Sequence, residues 1–138
     1  MKKIMIACST AFYNEIENIS NFLKEHNYEI IYPNGYNEEY EELNDMTKQY
    51  KLFYTMSQEK IKKIDELLVL NFSKEKNNKI LNNYIGPSTF LEMYEAFMQN
   101  KKIYLYTNLP DKEHILYDDI KAINPICLNK EIEGILND

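Results

Sequence analysis

Glu66-Leu67-Leu68-Val69-Leu70-Asn71-Phe72 is the stretch that decides the fold. Its centre, Leu67 to Leu70, is continuously apolar and short, which is the pattern of a strand buried on both faces. Outward from it, strands and helices alternate. Upstream, Lys3-Ile4-Met5-Ile6-Ala7-Cys8 reads as a buried first strand. Asn14 with Glu17 three residues on has the spacing of a helix cap, and Ile16, Ile19, Phe22 and Leu23 then fall on one helical face. Tyr28-Glu29-Ile30-Ile31-Tyr32 is a second strand, stopped by Pro33-Asn34-Gly35. Asn37 to Ile64 is charged, with apolar positions at Tyr40, Leu43, Met46, Tyr50, Phe53, Ile61 and Ile64; this predicts helix, broken once near Thr55 to Ser57. Downstream, Ser73 to Pro87 is a long polar loop and Thr89 to Asn100 is helical. Lys102 to Tyr106 is a fourth strand, Asp111 to Lys121 a short helix, Ile123 to Leu128 a strand interrupted by Pro125, and Glu131 to Leu136 a last helical turn.

Strands that alternate with helices pair in parallel through right-handed crossovers. The expectation is therefore α/β: one three-layer, doubly wound, Rossmann- or flavodoxin-like domain over residues 1–138, with a five-stranded parallel sheet. Such sheets bind ligands outside the carboxyl ends of their strands, where the strand order reverses. That rule gathers Ser9 to Tyr13, Asn71 to Pro87, and Thr107 to Pro110 at one mouth.

Composition agrees with a single domain and narrows the partners. The chain has 138 residues, 44% hydrophobic and 28% charged, the balance of an ordinary globular domain. Its net charge is −6, and all 16 basic residues are lysine. An acidic chain without arginine argues against a nucleic-acid polymer as partner. Apolar runs reach only about five residues, too short for a membrane span. Cys8 and Cys127, far apart in strand-like runs, make no disulfide framework, so a cytoplasmic protein is expected. With only two histidines, a structural zinc site or a His-rich catalytic metal site is not expected, and no cofactor is expected either.

Chemistry is best sought in Asn82-Asn83-Tyr84-Ile85-Gly86-Pro87-Ser88-Thr89-Phe90-Leu91-Glu92. The loop that contains it runs to about 15 residues, against the roughly 2–6 usual for such connections. It also carries Lys74, Lys76 and Lys79, which either attract a phosphate or form a solvated face. Gly86, Ser88 and Thr89 stand at a helix start, where free backbone N–H groups favour an anion. Glu92 has two readings. Thr89-x-x-Glu92 is capping-box spacing, in which the carboxylate bonds back to the Thr89 amide. Alternatively, the carboxylate sits at the mouth of the sheet as a nucleophile. Asn71 ends its strand at the right mouth to bond a sugar or base edge. Phe12 and Tyr13 either stack on a base or pack, and Tyr84 reaches toward the mouth from the long loop. Asp65 precedes its strand, at the wrong end of the sheet, and Cys8 reads as a buried thiol. The aromatic stripe Tyr36, Tyr40, Tyr50, Phe53 and Tyr54 reads as core or subunit interface.

Ala7-Cys8-Ser9-Thr10, the strand Ile64 to Asn71, and Tyr84 to Ala96 followed by Lys101-Lys102-Ile103-Tyr104-Leu105 together resemble the nucleoside 2-deoxyribosyltransferase-like family. The order agrees over nearly the whole chain, best over residues 1–32 and 61–128. A glutamate with alanine four residues later, then a lysine-led strand, is the most telling part. The resemblance implies cleavage of the N-glycosidic bond of a nucleoside or its 5′-monophosphate, by transfer or hydrolysis. It implies Glu92 as the nucleophile. It also implies Ser9, Thr10, Gly86, Ser88 and Thr89 around sugar or phosphate, and Asn71 and Tyr84 against sugar or base. Homodimers or larger homo-oligomers follow from the same likeness. Three positions depart from the family pattern: Cys8 replaces a glycine, Ser57 an acid, and Gly86 an aspartate or serine. These departures frame the competing reading, a non-catalytic nucleotide-binding module on the same fold.

Overall fold

The computed structural model describes residues 1–137, and Leu68 lies near the middle of its main sheet. That sheet is built from β1 (Lys2–Ala7), β2 (Tyr28–Ile31), β3 (Glu66–Val69), β6 (Lys102–Leu105) and β7 (Ile126–Cys127), in the order β2-β1-β3-β6-β7. Every pairing is parallel; Leu68 stands between Ile6 and Tyr104, and Val69 between Ala7 and Leu105. The expected five-stranded parallel α/β sheet is present.

Period-two alternation divides the strand residues between two cores. Ile4, Ile6, Leu68 and Tyr104 face α1 (Ile16–Glu25), through Ile16, Ile19 and Leu23, together with Ile135 of a C-terminal 3-10 segment (Ile132–Asn137). Met5, Ala7, Leu67, Val69, Ile103 and Leu105 face the other way. There they meet Ile61 of α2 (Met46–Lys62), Met93 and Ala96 of α3 (Pro87–Met98), and Ile120 of α4 (Tyr117–Ile123). All of β3 is buried because helices cover both faces. Glu66, at its amino end, is held by Lys2 Nζ at 3.3 Å and Tyr104 Oη at 3.4 Å. Asp65 lies at that same end and accepts the Lys3 amide at 2.9 Å. Among the described residues no helix is long and apolar enough to cross a membrane.

Several boundaries differ from the sequence expectation, each for a local reason. Asn14 is not a cap: Ser9 caps a 3-10 turn (Thr10–Glu15) that runs directly into α1. The helix expected from Asn37 starts only at Met46, where the Asp45 carboxylate accepts from the Thr47 and Lys48 amides at 2.8 and 3.2 Å. The preceding acidic segment is tied down otherwise, with Glu38 accepting from the Gly35 amide and Gln49 from that of Leu43. The helix is also unbroken at Thr55, whose hydroxyl donates to Leu52 O at 2.7 Å within the turn. The long loop contains a hairpin, β4 (Lys74–Lys76) with β5 (Lys79–Leu81). Its turn residues, Asn77 and Asn78, have φ of 53° and 60°, as a two-residue hairpin of this type requires. The fourth helix starts at Tyr117, and the strand after Pro125 keeps only Ile126 and Cys127.

Candidate active site

A cavity of about 660 Å³ opens where the strand order reverses between β1 and β3. Four segments enclose it. The loop after β1 gives Cys8, Ser9, Thr10 and Tyr13; the turn after β2 gives Pro33 and Asn34. One face of α2 gives Tyr50, Phe53, Tyr54 and Ser57. Tyr84, Gly86 and the first two turns of α3 close the remaining side. The size is that of an ordinary small-molecule site.

Glu92 does not cap its helix. α3 begins two residues earlier than expected, with Gly86 as N-cap, Pro87 in the first turn and no side-chain cap. Thr89 is therefore inside the helix and buried, and Glu92 lies at the end of its second turn, facing the cavity. The capping-box reading fails for that reason. The Glu92 carboxylate instead accepts the Ser57 hydroxyl from α2 at 2.8 Å. Ser57 Oγ in turn accepts Asn34 Nδ2 at 2.7 Å, and the same amide donates to Phe53 O at 3.0 Å. A relay of donors thus runs from the β2 turn through α2 to a single carboxylate.

Electrostatics set that carboxylate apart. Burial pushes the Glu92 carboxyl up to about 7, against the opposing pull of the Ser57 hydrogen bond and the Lys60 charge. Lys60 is itself held by Tyr32 O at 3.0 Å and Glu38 at 2.9 Å. The Cys8 thiol is pushed up to about 12, first by burial and then by Glu92, so it stays protonated and is no thiolate nucleophile. The Tyr13 phenol is raised to about 12 by burial, with Cys8, Glu92, Glu38 and Tyr40 adding to it; it donates to Asn34 O at 3.1 Å.

Of the residues singled out in the sequence, Ser9, Thr10, Tyr84, Gly86, Ser88, Thr89 and Glu92 come together around this cavity. Phe12 and Asn71 stay outside it. Phe12 is 6% exposed and packs edge-on against Phe72, with ring centroids 5.6 Å apart. Asn71 is fully buried, and its amide is spent on the next strand's loop: Nδ2 donates to Asn108 O at 2.8 Å and Oδ1 accepts the Thr107 amide at 3.0 Å. The sequence reading missed the α2 wall and Asn34. Asn34 carried a usable signal, because it follows β2 at the ligand end of the sheet. Tyr50, Phe53 and Tyr54 carried none, since one aromatic stripe serves a core, an interface or a cavity equally well. Glu95, one turn beyond Glu92, also lines the space.

Gly86 has a specific neighbour. A Cβ built there would lie 3.3 Å from Tyr84 Oη and 3.5 Å from Tyr84 Cε2. The phenol of Tyr84 therefore borders the room that a side chain at 86 would need, and would have to shift slightly to admit one. Its ring is flanked by Lys74, whose Nζ is 5.0 Å from the centroid, and by the His114 ring at 6.1 Å.

No family model matches the chain, and no curated protein matches it in sequence. Among solved structures the chain is similar to the Clostridium botulinum CMP N-glycosidase BcmB. The TM-score is 0.54 at 18% identity, covering 99% of this chain and 96% of that one. A likeness this remote in sequence is a likeness of architecture. It establishes that the chain shares that enzyme's fold, here an α/β domain with a sheet of five parallel strands.

Proposed function

We propose that this protein cleaves the N-glycosidic bond of a nucleoside, ribo- or deoxyribo-, or of its 5′-monophosphate, with Glu92 as the nucleophile. The observation that carries the reading is Glu92 itself. It is a carboxylate facing a cavity of nucleoside size, held by one hydroxyl and raised toward neutrality by burial. In the ionised form it attacks the anomeric carbon, the C–N bond breaks, and the base departs with the bonding pair. A glycosyl ester forms on Glu92 and is resolved by water or by a second base, the logic of a retaining glycosidase. The Ser57 hydroxyl orients the attacking oxygen, and the departing base takes its proton from solvent or a neighbouring donor. Ser9, Thr10, Tyr84, Ser88 and Thr89 offer hydroxyls to the sugar, and Gly86 lets Tyr84 approach the α3 terminus. The fold shared with a CMP N-glycosidase supports this class of reaction.

The second reading, a nucleotide-binding module without catalysis, is favoured by Ser57 and Gly86, where the family pattern has an acid and an aspartate or serine. One experiment separates the two. Wild type and Glu92→Ala are incubated with ribo- and deoxyribonucleosides and their 5′-monophosphates, with and without a second base, and free base is followed by chromatography. The glycosidase reading expects base release by the wild type, loss of at least about a thousandfold in the folded variant, and a new nucleoside if transfer operates. Ligand-induced thermal stabilisation without any base release is the result that selects the binding module.

A further inference from the structure

We propose that the cavity selects an uncharged nucleoside over its 5′-monophosphate, and that Glu95 enforces this choice. The inference rests on the glycosidase reading of the same site and goes beyond it by naming the substrate class. Among the described residues, no lysine or histidine lines the cavity, and the chain contains no arginine. The charged side chains that do line it are two carboxylates, Glu92 and Glu95. They stand three residues apart on α3, the spacing that puts both on one helix face.

Neither of the two lysines that approach the wall lines the cavity. Lys60 is bound to Glu38 and Tyr32 O, and Lys74 lies over the Tyr84 ring. What remains for a phosphate is the uncapped start of α3, worth roughly half a positive charge. Two acidic side chains on that same helix oppose it. A phosphomonoester carries about −1.5 to −2 at neutral pH, and enclosure by protein strengthens its repulsion from them. A neutral 5′-hydroxyl meets no such penalty and finds the hydroxyls of Ser9, Thr10 and Ser88 as partners. The opposite wall suits a base, with Phe53 and the near-parallel rings of Tyr50 and Tyr54, 11° apart in plane and 6.4 Å between centroids.

The test compares kcat/KM for base release from matched nucleoside and 5′-monophosphate pairs, in wild type and Glu95→Gln. The wild type is expected to prefer the nucleoside by at least about tenfold, and Glu95→Gln to narrow that ratio several-fold. Added salt narrows it in the wild type as well. A purely structural role for Glu95 would change both substrates together and leave the ratio fixed, which overturns the assignment. Equal or better turnover of the monophosphate overturns the proposal outright. If neither substrate releases base, the glycosidase reading fails separately. Calorimetric titration of the wild type with the same pairs then decides: tighter nucleoside supports the charge selection, and tighter monophosphate, equal affinity or no nucleoside binding defeats it.

Discussion

The nucleophile proposed here, Glu92, would serve reactivity at the expense of stability, and the two can be measured apart. Its carboxyl titrates near 7 in the folded chain, against 4.5 for an ordinary glutamate, chiefly because burial disfavours the charge. The unfolded chain therefore ionises first as pH rises. The stability that the protonated group allows is complete below about 4.5 and is lost as pH climbs to about 7. Glu92→Gln should recover it, by roughly 1–3 kcal/mol at pH 8 and almost nothing at pH 4, read by denaturant unfolding at both values. The proposed catalysis would run the other way. A nucleophilic carboxylate must be ionised, so kcat/KM for base release should fall about tenfold per pH unit below 7. Ser57→Ala removes the hydrogen bond that opposes the upward shift, and should move that limb to higher pH. A limb unmoved by Ser57→Ala would mean that the hydroxyl does not hold the reactive oxygen.

The succession of the main-sheet strands along the chain and the sheet type were legible in the sequence because each buried strand is a short apolar run between helical stripes. The element ends were less legible. Tyr40 and Leu43 continue the spacing of α2 into a segment that is not helical, since periodicity does not report that Asp45 has already taken the capping amides. Asp45→Ala should therefore cost about 0.5–2 kcal/mol of stability, measurable by urea unfolding. The hairpin of β4 and β5 was hidden for a related reason: its turn is made by Asn77-Asn78, without the glycine that usually marks one. The chain has three glycines, and among the described residues eight of the nine non-glycine positions with positive φ are asparagine. Asparagine substitutes here for glycine as the left-handed residue. Asn78→Gly should be close to neutral, whereas Asn78→Val should loosen the hairpin, seen as faster amide exchange over residues 74–81. The loop after β1 and the start of α3 were placed at the mouth by topology alone. The α2 wall was not, because an amphipathic stripe does not name its partner.

At the scale of the molecule, apolar surface is uneven. Met46, Tyr50, Tyr54, Leu91, Tyr94, Phe97 and Met98 are large apolar side chains of α2 and α3 left exposed. A layer with that character suits contact between copies of the chain. We propose that copies of the chain associate through this layer, in which case Met98→Asp shifts sedimentation toward the monomer; a monomeric wild type would refute this. The contact between Tyr84 and Gly86 also bears on how such a site changes over generations. A side chain at 86 would press on the phenol, which must give by a few tenths of an ångström to admit it, so the two positions are coupled. A carboxylate introduced at 86 while tyrosine remains at 84 is penalised by crowding, and the same substitution after tyrosine has gone is not. The order of mutation then matters, because an acid at 86 is accommodated more readily once the tyrosine has left 84 than while it remains.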